Sequence, residues 1–359
     1  MARLIPGRRQ EAAERTAATP PAGTETPSGA RPDLDADQVD RPGDLSKPSL
    51  VAVVKRAGRE FKNDNLTTLA AALTYYAVLA VIPGLIVLLA ILGLVGHHLT
   101  EKVVTEVQSV APGSTAKFVR TLVVQAQANR SGAGIAAVAG VVVALWSASS
   151  YVGSFRTASN IIYGIGEGRP AWKTIPIRLG VTVVSVVLLV VAAVIVVASG
   201  SVANEIGNTL GAGRAAVLAW DVAKWPVLLV VVSVLLAVLY WASPNAKQGG
   251  IRWVSPGGII ATVVWVIVSV LFAVYVATFS SYNRTYGSLA GIVVFLVWLW
   301  LTNVALLLGA EINAELDHAR AIGEGLPEEV RPFVEPRDTR KLSEADKEAV
   351  TRAQAARGS

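Results

Sequence analysis

Six stretches of this chain, at about 67–95, 133–153, 175–199, 225–243, 256–279 and 287–310, are nearly free of charge. Each approaches or exceeds the about 20 apolar residues that a helix needs to cross about 30 Å of hydrocarbon. Valine and isoleucine are common in them and could mimic buried strands, but strands rarely pass about ten residues, so length decides for helix. The third stretch, with its core VTVVSVVLLVVAAVIVV, is the least ambiguous. Pro226 is expected in the first turn of the fourth, where its missing N–H is harmless. Hydrophobic residues make up 53% of the chain and charged residues 16%, against about a quarter charged in soluble proteins. The expected fold is all-α: an integral membrane bundle of six transmembrane helices.

The charges lie outside the apolar stretches and give them a direction. Lys47, Lys55, Arg56, Arg59 and Lys62 precede the first, and Arg156, Arg169, Lys173 and Arg178 surround the connection after the second. Lys247 and Arg252 follow the fourth, and Arg320 opens a basic C-terminal segment. The opposite connections carry Lys102, Lys117, Arg120 and Arg130 over a long loop, then Arg214, then Arg284. Basic residues gather on cytoplasmic loops, so both termini are placed in the cytoplasm. The net charge of +6 is read as this topology signal rather than as a nucleic-acid surface. Trp172, Trp241 and Trp253 fall at the expected inner interface, and Trp220 and Trp225 at the outer one.

Residues 1–48 are rich in Ala, Pro, Gly, Thr, Asp and Arg and are read as a disordered cytoplasmic tail. Residues 49–317 form the six-span domain, and 318–359 a cytoplasmic C-terminal tail, largely disordered. No cleavable signal peptide is visible, so the first span is expected to act as an uncleaved targeting anchor. Residues 49–64 read as an amphipathic helix on the inner membrane surface, with Val51, Val54, Ala57 and Phe61 opposite Lys55, Arg59 and Lys62. The outer loop 97–132 reads as two short amphipathic helices, which either pack on the span ends or cap a cavity.

Chemistry-bearing patterns are sparse. There is no cysteine, so thiolate metal sites and cysteine nucleophiles are excluded. No Walker-type phosphate loop, H-E-x-x-H or G-x-S-x-G pattern occurs. His97 and His98 could bind metal, but no third ligand is spaced for it and an interfacial role is simpler. Polar groups inside the spans carry more information, because charge there is costly. Asn65, Tyr75, Tyr76 and the helix-bending Pro83 mark the first span. Ser150 and Asn160 belong to a hydroxyl-rich run at the end of the second, which could line a water path or bond its own backbone. Asn303, Glu311 and Asn313, with Glu315, give the sixth a polar inner end, suited either to proton or cation coupling or to an interfacial acidic pair. Gly287 and Gly291 permit close helix contact. Asp221 and Lys224 can pair at the outer edge of the fourth span.

Several motifs occur in a telling order: Asn65 followed by Ala70-Ala71-Ala72, Tyr75 and Pro83; Ser243-Pro244-Asn245; Trp253 with Pro256-Gly257; Tyr286-Gly287-Ser288-Leu289-Ala290-Gly291; Trp298-Leu299-Trp300; and Gly309-Ala310-Glu311-Ile312-Asn313. Together they resemble the bacterial YihY/BrkB family of six-span inner-membrane proteins, over about residues 50–317. The resemblance implies a location in the bacterial cytoplasmic membrane. Family members have also borne a ribonuclease BN label, but the residues offer no His, Asp and Glu cluster for two metals and no domain to cradle RNA. Other members are linked to serum resistance and to export of envelope lipid or lipopolysaccharide.

The expected function is therefore a non-enzymatic transporter or export factor for an envelope component, with lipid the candidate cargo. A membrane scaffold aiding envelope assembly is the alternative. No cofactor, metal or nucleic acid is expected; the partners are the lipid bilayer and a lipid or small-molecule substrate. The candidate path consists of Asn65, Tyr75, Tyr76, Pro83, Ser150, Asn160, Asn303, Glu311 and Asn313.

Overall fold

The computed structural model describes residues 47–95, 133–197, 214–249, 251–278 and 288–357, all within one compact unit, Ala36–Ser359. The N-terminal tail to residue 46, the outer loop with His97 and His98, and Gly287 lie outside the described residues. The described helices are α1 (Lys47–Asn63), α2 (Leu66–Val95), α3 (Ala133–Ile162), α4 (Ala171–Val197), α5 (Arg214–Ala242), α6 (Ile251–Thr278), α7 (Ser288–Gly323) and α8 (Glu344–Arg357). Among the described residues there is no strand, only an isolated bridge between Ala246 and Pro336.

Among the described residues, four segments are long and apolar enough to cross a membrane: Ala171–Val196, Ala216–Ala242, Pro256–Val276 and Gly291–Gly323. In addition, α2 and α3 are each 30 residues long. Helix suits these sequences because it satisfies every backbone N–H and C=O within the segment where no water can do so. The helices run past the apolar stretches. The helix α3 continues to Ile162 and α7 to Gly323, so both project polar turns beyond their apolar runs. The helix α5 begins at Arg214, which puts Pro226 in its interior rather than in its first turn. Asp221 and Lys224 do not end the apolar helix, because they pair with each other one turn apart, Nζ to Oδ1 at 2.9 Å.

Neighbouring helices close a circuit: α2 packs on α3, α3 on α4, α4 on α5, α5 on α6, α6 on α7, and α7 back on α2. The helix α7 also reaches α3, and α1 lies on α7 and α2. Buried apolar side chains, among them Leu66, Leu73, Phe155, Tyr163, Leu239 and Leu307, collect toward the end where Lys and Arg gather, here called the basic end. The tightest contact joins α6 to α7. A Cβ at Gly309 would lie 2.6 Å from the Ala261 Cβ, the Gly257 carbonyl oxygen and the Tyr240 hydroxyl. A Cβ at Gly257 would run into the Gly309 carbonyl and the Asn313 side chain. A Cβ at Gly291 would meet open space. Close approach is thus made by Gly257 and Gly309, near the basic end, not at Gly291.

The helix α1 is amphipathic and packs Val53 and Ala57 on Ile312, Leu316 and Ala319 of α7. Val51 and Val54 of the stripe expected on the membrane surface are 67% and 64% exposed. One expectation is corrected. The segment after residue 317 is not a largely disordered tail. Leu326, Phe333, Val334, Leu342, Val350 and Ala353 are buried, and α8 packs back on the basic end. Its few apolar residues suffice because they dock on a surface the other helices already provide. Arg337 and Arg340 lie over the rings of Trp241 and Trp172, at 5.0 and 5.2 Å.

Overpacking a close contact costs about 1–3 kcal/mol. Gly309→Val should therefore lower the thermal unfolding temperature of the detergent-purified protein clearly, while Gly291→Val should leave it nearly unchanged. Equal effects at both positions would contradict the assigned contact.

Candidate functional site: a polar basic end and an apolar far half

Along α7, apolar helix gives way to a run of polar residues that are buried on every side. From Ala310 to Ala319 each residue is buried, including Glu311, Asn313, Glu315, Asp317 and His318. A buried polar group without a partner costs about 1–3 kcal/mol, more if charged. The partners come from all the surrounding elements. Asn313 Oδ1 accepts the Gly257 N–H of α6 at 2.8 Å. Glu315 Oε2 takes the Arg56 Nε of α1 at 2.7 Å. Asp317 accepts the Tyr163 hydroxyl at 3.2 Å and the Gly249 N–H at 3.3 Å. His318 stacks on Phe333 of the C-terminal segment, ring centroids 4.6 Å apart, with Nδ1 3.4 Å from Glu315. Glu311 is as deeply buried, and its Oε2 has no hydrogen-bond partner among the described residues. The charged groups acting on it are Asp64, Glu315, Glu60 and Arg331.

Two turns back along α7, Asn303 is the centre of a second cluster. It accepts the Tyr151 hydroxyl of α3 at 2.8 Å and donates to Thr74 Oγ1 of α2 at 3.0 Å. This cluster ties α2, α3 and α7 together within the apolar core.

A third cluster closes the connections at the basic end. Asn245 donates from its backbone to Asn160 Oδ1 at 2.8 Å and from its side chain to the Gly166 and Asp338 carbonyls, and it accepts the Asp338 N–H. Every polar atom of its amide is used. Gly168 has no room for a side chain, because the Asp338 carbonyl occupies that place. Arg169 is buried, held by both Glu167 oxygens and donating to the Ser243 carbonyl at 2.7 Å. Burial raises the Glu167 carboxyl, but the Arg169 hydrogen bonds outweigh it and the net shift is downward. Asp338 is held well below the usual carboxylate range by hydrogen bonds from Arg340 and Lys173.

The far halves of the helices differ. The helix α4 exposes Val183, Val187 and Val194 on one side and Leu189 and Val196 on the opposite side. The helix α5 exposes Leu218, Val222, Trp225 and Leu229 along one stripe and Val227, Val230 and Val234 on the opposite one. At 100° per residue these sets stand about 120–180° apart.

The residues expected to line one path therefore fall into separate places. Asn303 lies in the mid-bundle cluster, and Glu311 and Asn313 in the buried polar run. Asn160 belongs to the Asn245 cluster. Ser150 bonds to its own helix at the Trp146 carbonyl. Tyr75 is 61% exposed and Tyr76 partly so, their rings edge to face. Asn65 is exposed at the turn between α1 and α2, with φ of 52°, a conformation Asn tolerates better than most residues. Pro83 lies within α2. Sequence reading missed Tyr151, Arg169, Asp317 and Asp338. The signal available for Asn245 was its Ser-Pro-Asn motif, which carried no hint of its four hydrogen bonds.

Comparison with known proteins gives this arrangement a family. The profile described as Virulence factor BrkB matches residues 57–332. The chain belongs to the BrkB family. A protein of Bacillus subtilis named ribonuclease-like, YfkH, is 32% identical over 257 residues, 72% of this chain and 92% of its own length. UPF0761 membrane proteins of Rhodospirillum centenum and Xanthomonas oryzae are 30% and 27% identical over 78% and 72% of this chain. The chain spans about three fifths of the length of these two relatives, 60% and 59%. The UPF0761 name carries no catalytic activity. No solved structure matches the chain.

The turn between α1 and α2 gives a test with a sign. Asp64 is half-buried there; desolvation, then Glu60 and Glu315, push its carboxyl up from 3.8 to about 6, against the pull of Arg331. The folded chain thus holds this proton more tightly than the unfolded chain, and stability falls as pH rises from about 4 to about 6. Asp64→Asn removes that loss. Thermal unfolding should find the variant more stable than the parent at pH 7.5, with the difference vanishing below pH 4; a less stable variant at pH 7.5 would sink this assignment.

Proposed function

We propose that the chain is a six-span protein of the bacterial cytoplasmic membrane, with both termini in the cytoplasm, that moves or exports a lipidic envelope component. The observation carrying this reading is the exposure of apolar side chains on opposite faces of α4 and α5. A helix on the rim of a bundle needs one apolar face for the bilayer. A second one calls for another apolar occupant, and an acyl chain has the right chemistry and length. The topology is supported by contacts that bring α1 and the C-terminal segment to the same end, as in Arg56 with Glu315 and Arg331 with Glu60. Basic residues crowd that end, as expected of a cytoplasmic face. The polar residues of α7 plug it, so cargo would enter sideways from the membrane rather than through an aqueous channel.

The second reading is a scaffold whose second apolar face is covered by another copy of the chain. The ribonuclease-like name of YfkH supports a third reading least, since no group of three His, Cys, Asp or Glu among the described residues could hold a metal ion.

Lipid profiling of a deletion strain separates the first two. The transport reading expects an envelope lipid to accumulate in the cytoplasmic membrane. The parent gene should restore the profile, and a Leu189→Trp, Val196→Trp double variant, filling the second face, should not. An unchanged profile in the deletion strain would refute transport of lipid.

A further inference from the structure

Where α3, α4 and the end of α5 meet, a small pocket is lined by three arginines, Arg156, Arg169 and Arg178, together with Thr174 and Ser243. Among the described residues one carboxylate answers them. Glu167 takes both donors of Arg169 and stands 3.4 Å from Arg156 Nε. Arg169 is saturated, since it also donates to the Ala242 and Ser243 carbonyls. The other two are not: the Nε atoms of Arg156 and Arg178 are buried without a hydrogen-bond partner among the described residues. So is the Oγ of Ser243, a residue only 3% exposed. Three buried polar atoms with unmet hydrogen bonds thus belong to residues that line one pocket, with an excess of two positive charges; an anion with several acceptor oxygens would satisfy them.

The surroundings fix its depth. Trp172 and Trp241, both more than half exposed, flank this level of the bundle, and Arg178 lies 5.9 Å from the centre of the exposed Trp146 ring. Exposed tryptophans mark the headgroup level of a bilayer. From the pocket, Ile177 and Val184 of α4 continue as an exposed apolar stripe at i, i+7.

We propose that this pocket, now with room for about one water, about 10 Å³, opens by rotation of the half-buried Arg156 and Arg178 side chains to bind a phosphate group, held by their guanidinium groups and by the Ser243 hydroxyl. Its source is either the headgroup of an anionic phospholipid, with acyl chains along the α4 stripe, or phosphate from solution. The site does not depend on the transport reading, because a fixed lipid would use the same contacts.

The full-length protein, delipidated in detergent, is titrated with dioleoyl-phosphatidylglycerol, with dioleoylglycerol and with inorganic phosphate, and followed by native mass spectrometry and thermal shift. Dioleoyl-phosphatidylglycerol should bind and dioleoylglycerol should not. Arg156→Gln and Arg178→Gln should each weaken binding about ten-fold, the order expected for a charge-assisted hydrogen bond, while Arg340→Gln, outside the pocket, should not. Arg178→Lys keeps the charge without the planar fork; it should give a smaller loss and guards against misfolding of the glutamine variants. Inorganic phosphate that binds with the same arginine dependence while dioleoyl-phosphatidylglycerol does not would assign the site to solution phosphate. Binding of the phospholipid alone would assign it to the headgroup. Binding of neither, equal binding of dioleoylglycerol, or binding unaltered in the glutamine variants and in Arg178→Lys would overturn the proposal.

Discussion

The structure depends on one constraint: the end of α7 carries a run of polar side chains into the buried interior of the basic end. Glu311, Asn313, Glu315, Asp317 and His318 follow within eight residues, with Glu311, Glu315 and His318 on one face of the helix and Asn313 and Asp317 on the opposite one. Both faces therefore draw partners from the elements around them. That requirement seats α1 through Arg56, α6 through Gly257, α3 through Tyr163, and the C-terminal segment through Phe333. A bundle of apolar helices in lipid has little hydrophobic drive to associate, so small-residue contacts and interhelical hydrogen bonds decide its geometry. Here both coincide, at Gly257, Gly309 and Asn313.

The consequence is an uneven molecule. At the basic end, polar networks and close packing join the segments: Asn245 spends its whole side-chain amide on Gly166 and Asp338 and its backbone N–H on Asn160, and Arg169 is held on two sides. Toward the far end α4 and α5 expose valine and leucine on opposite faces. A polar base under helices that expose apolar faces suits the proposed handling of something apolar, and the proposed phosphate pocket lies at that base.

Much of this was legible in the sequence. Six apolar stretches predicted where the long helices lie, and the ordered motifs led to the right family. What periodicity could not supply was the partner of each face. The helix α1 packs Val53 and Ala57 on α7 and leaves Val51 and Val54 of its expected stripe exposed. The Asp221–Lys224 pair was legible from its spacing, but the helices run past the apolar stretches, as α7 does through its buried polar run to Gly323. The C-terminal segment reads as polar and unstructured alone, yet it folds by docking. Of the candidate path, Asn160, Asn303, Glu311 and Asn313 fall in three separate clusters, since a residue's depth along a helix says nothing of which neighbour it meets.

The most direct test concerns what fills the second apolar face. The chain has no cysteine, so single cysteines can be placed at Val187 and Leu189 and labelled with a photoreactive group in lipid nanodiscs. Both positions should cross-link to phospholipid, Val187 to the surrounding bilayer and Leu189 to lipid held between the helices. Cross-linking of the Leu189 position to a second copy of the chain, or to another helix of the same chain, would contradict this account.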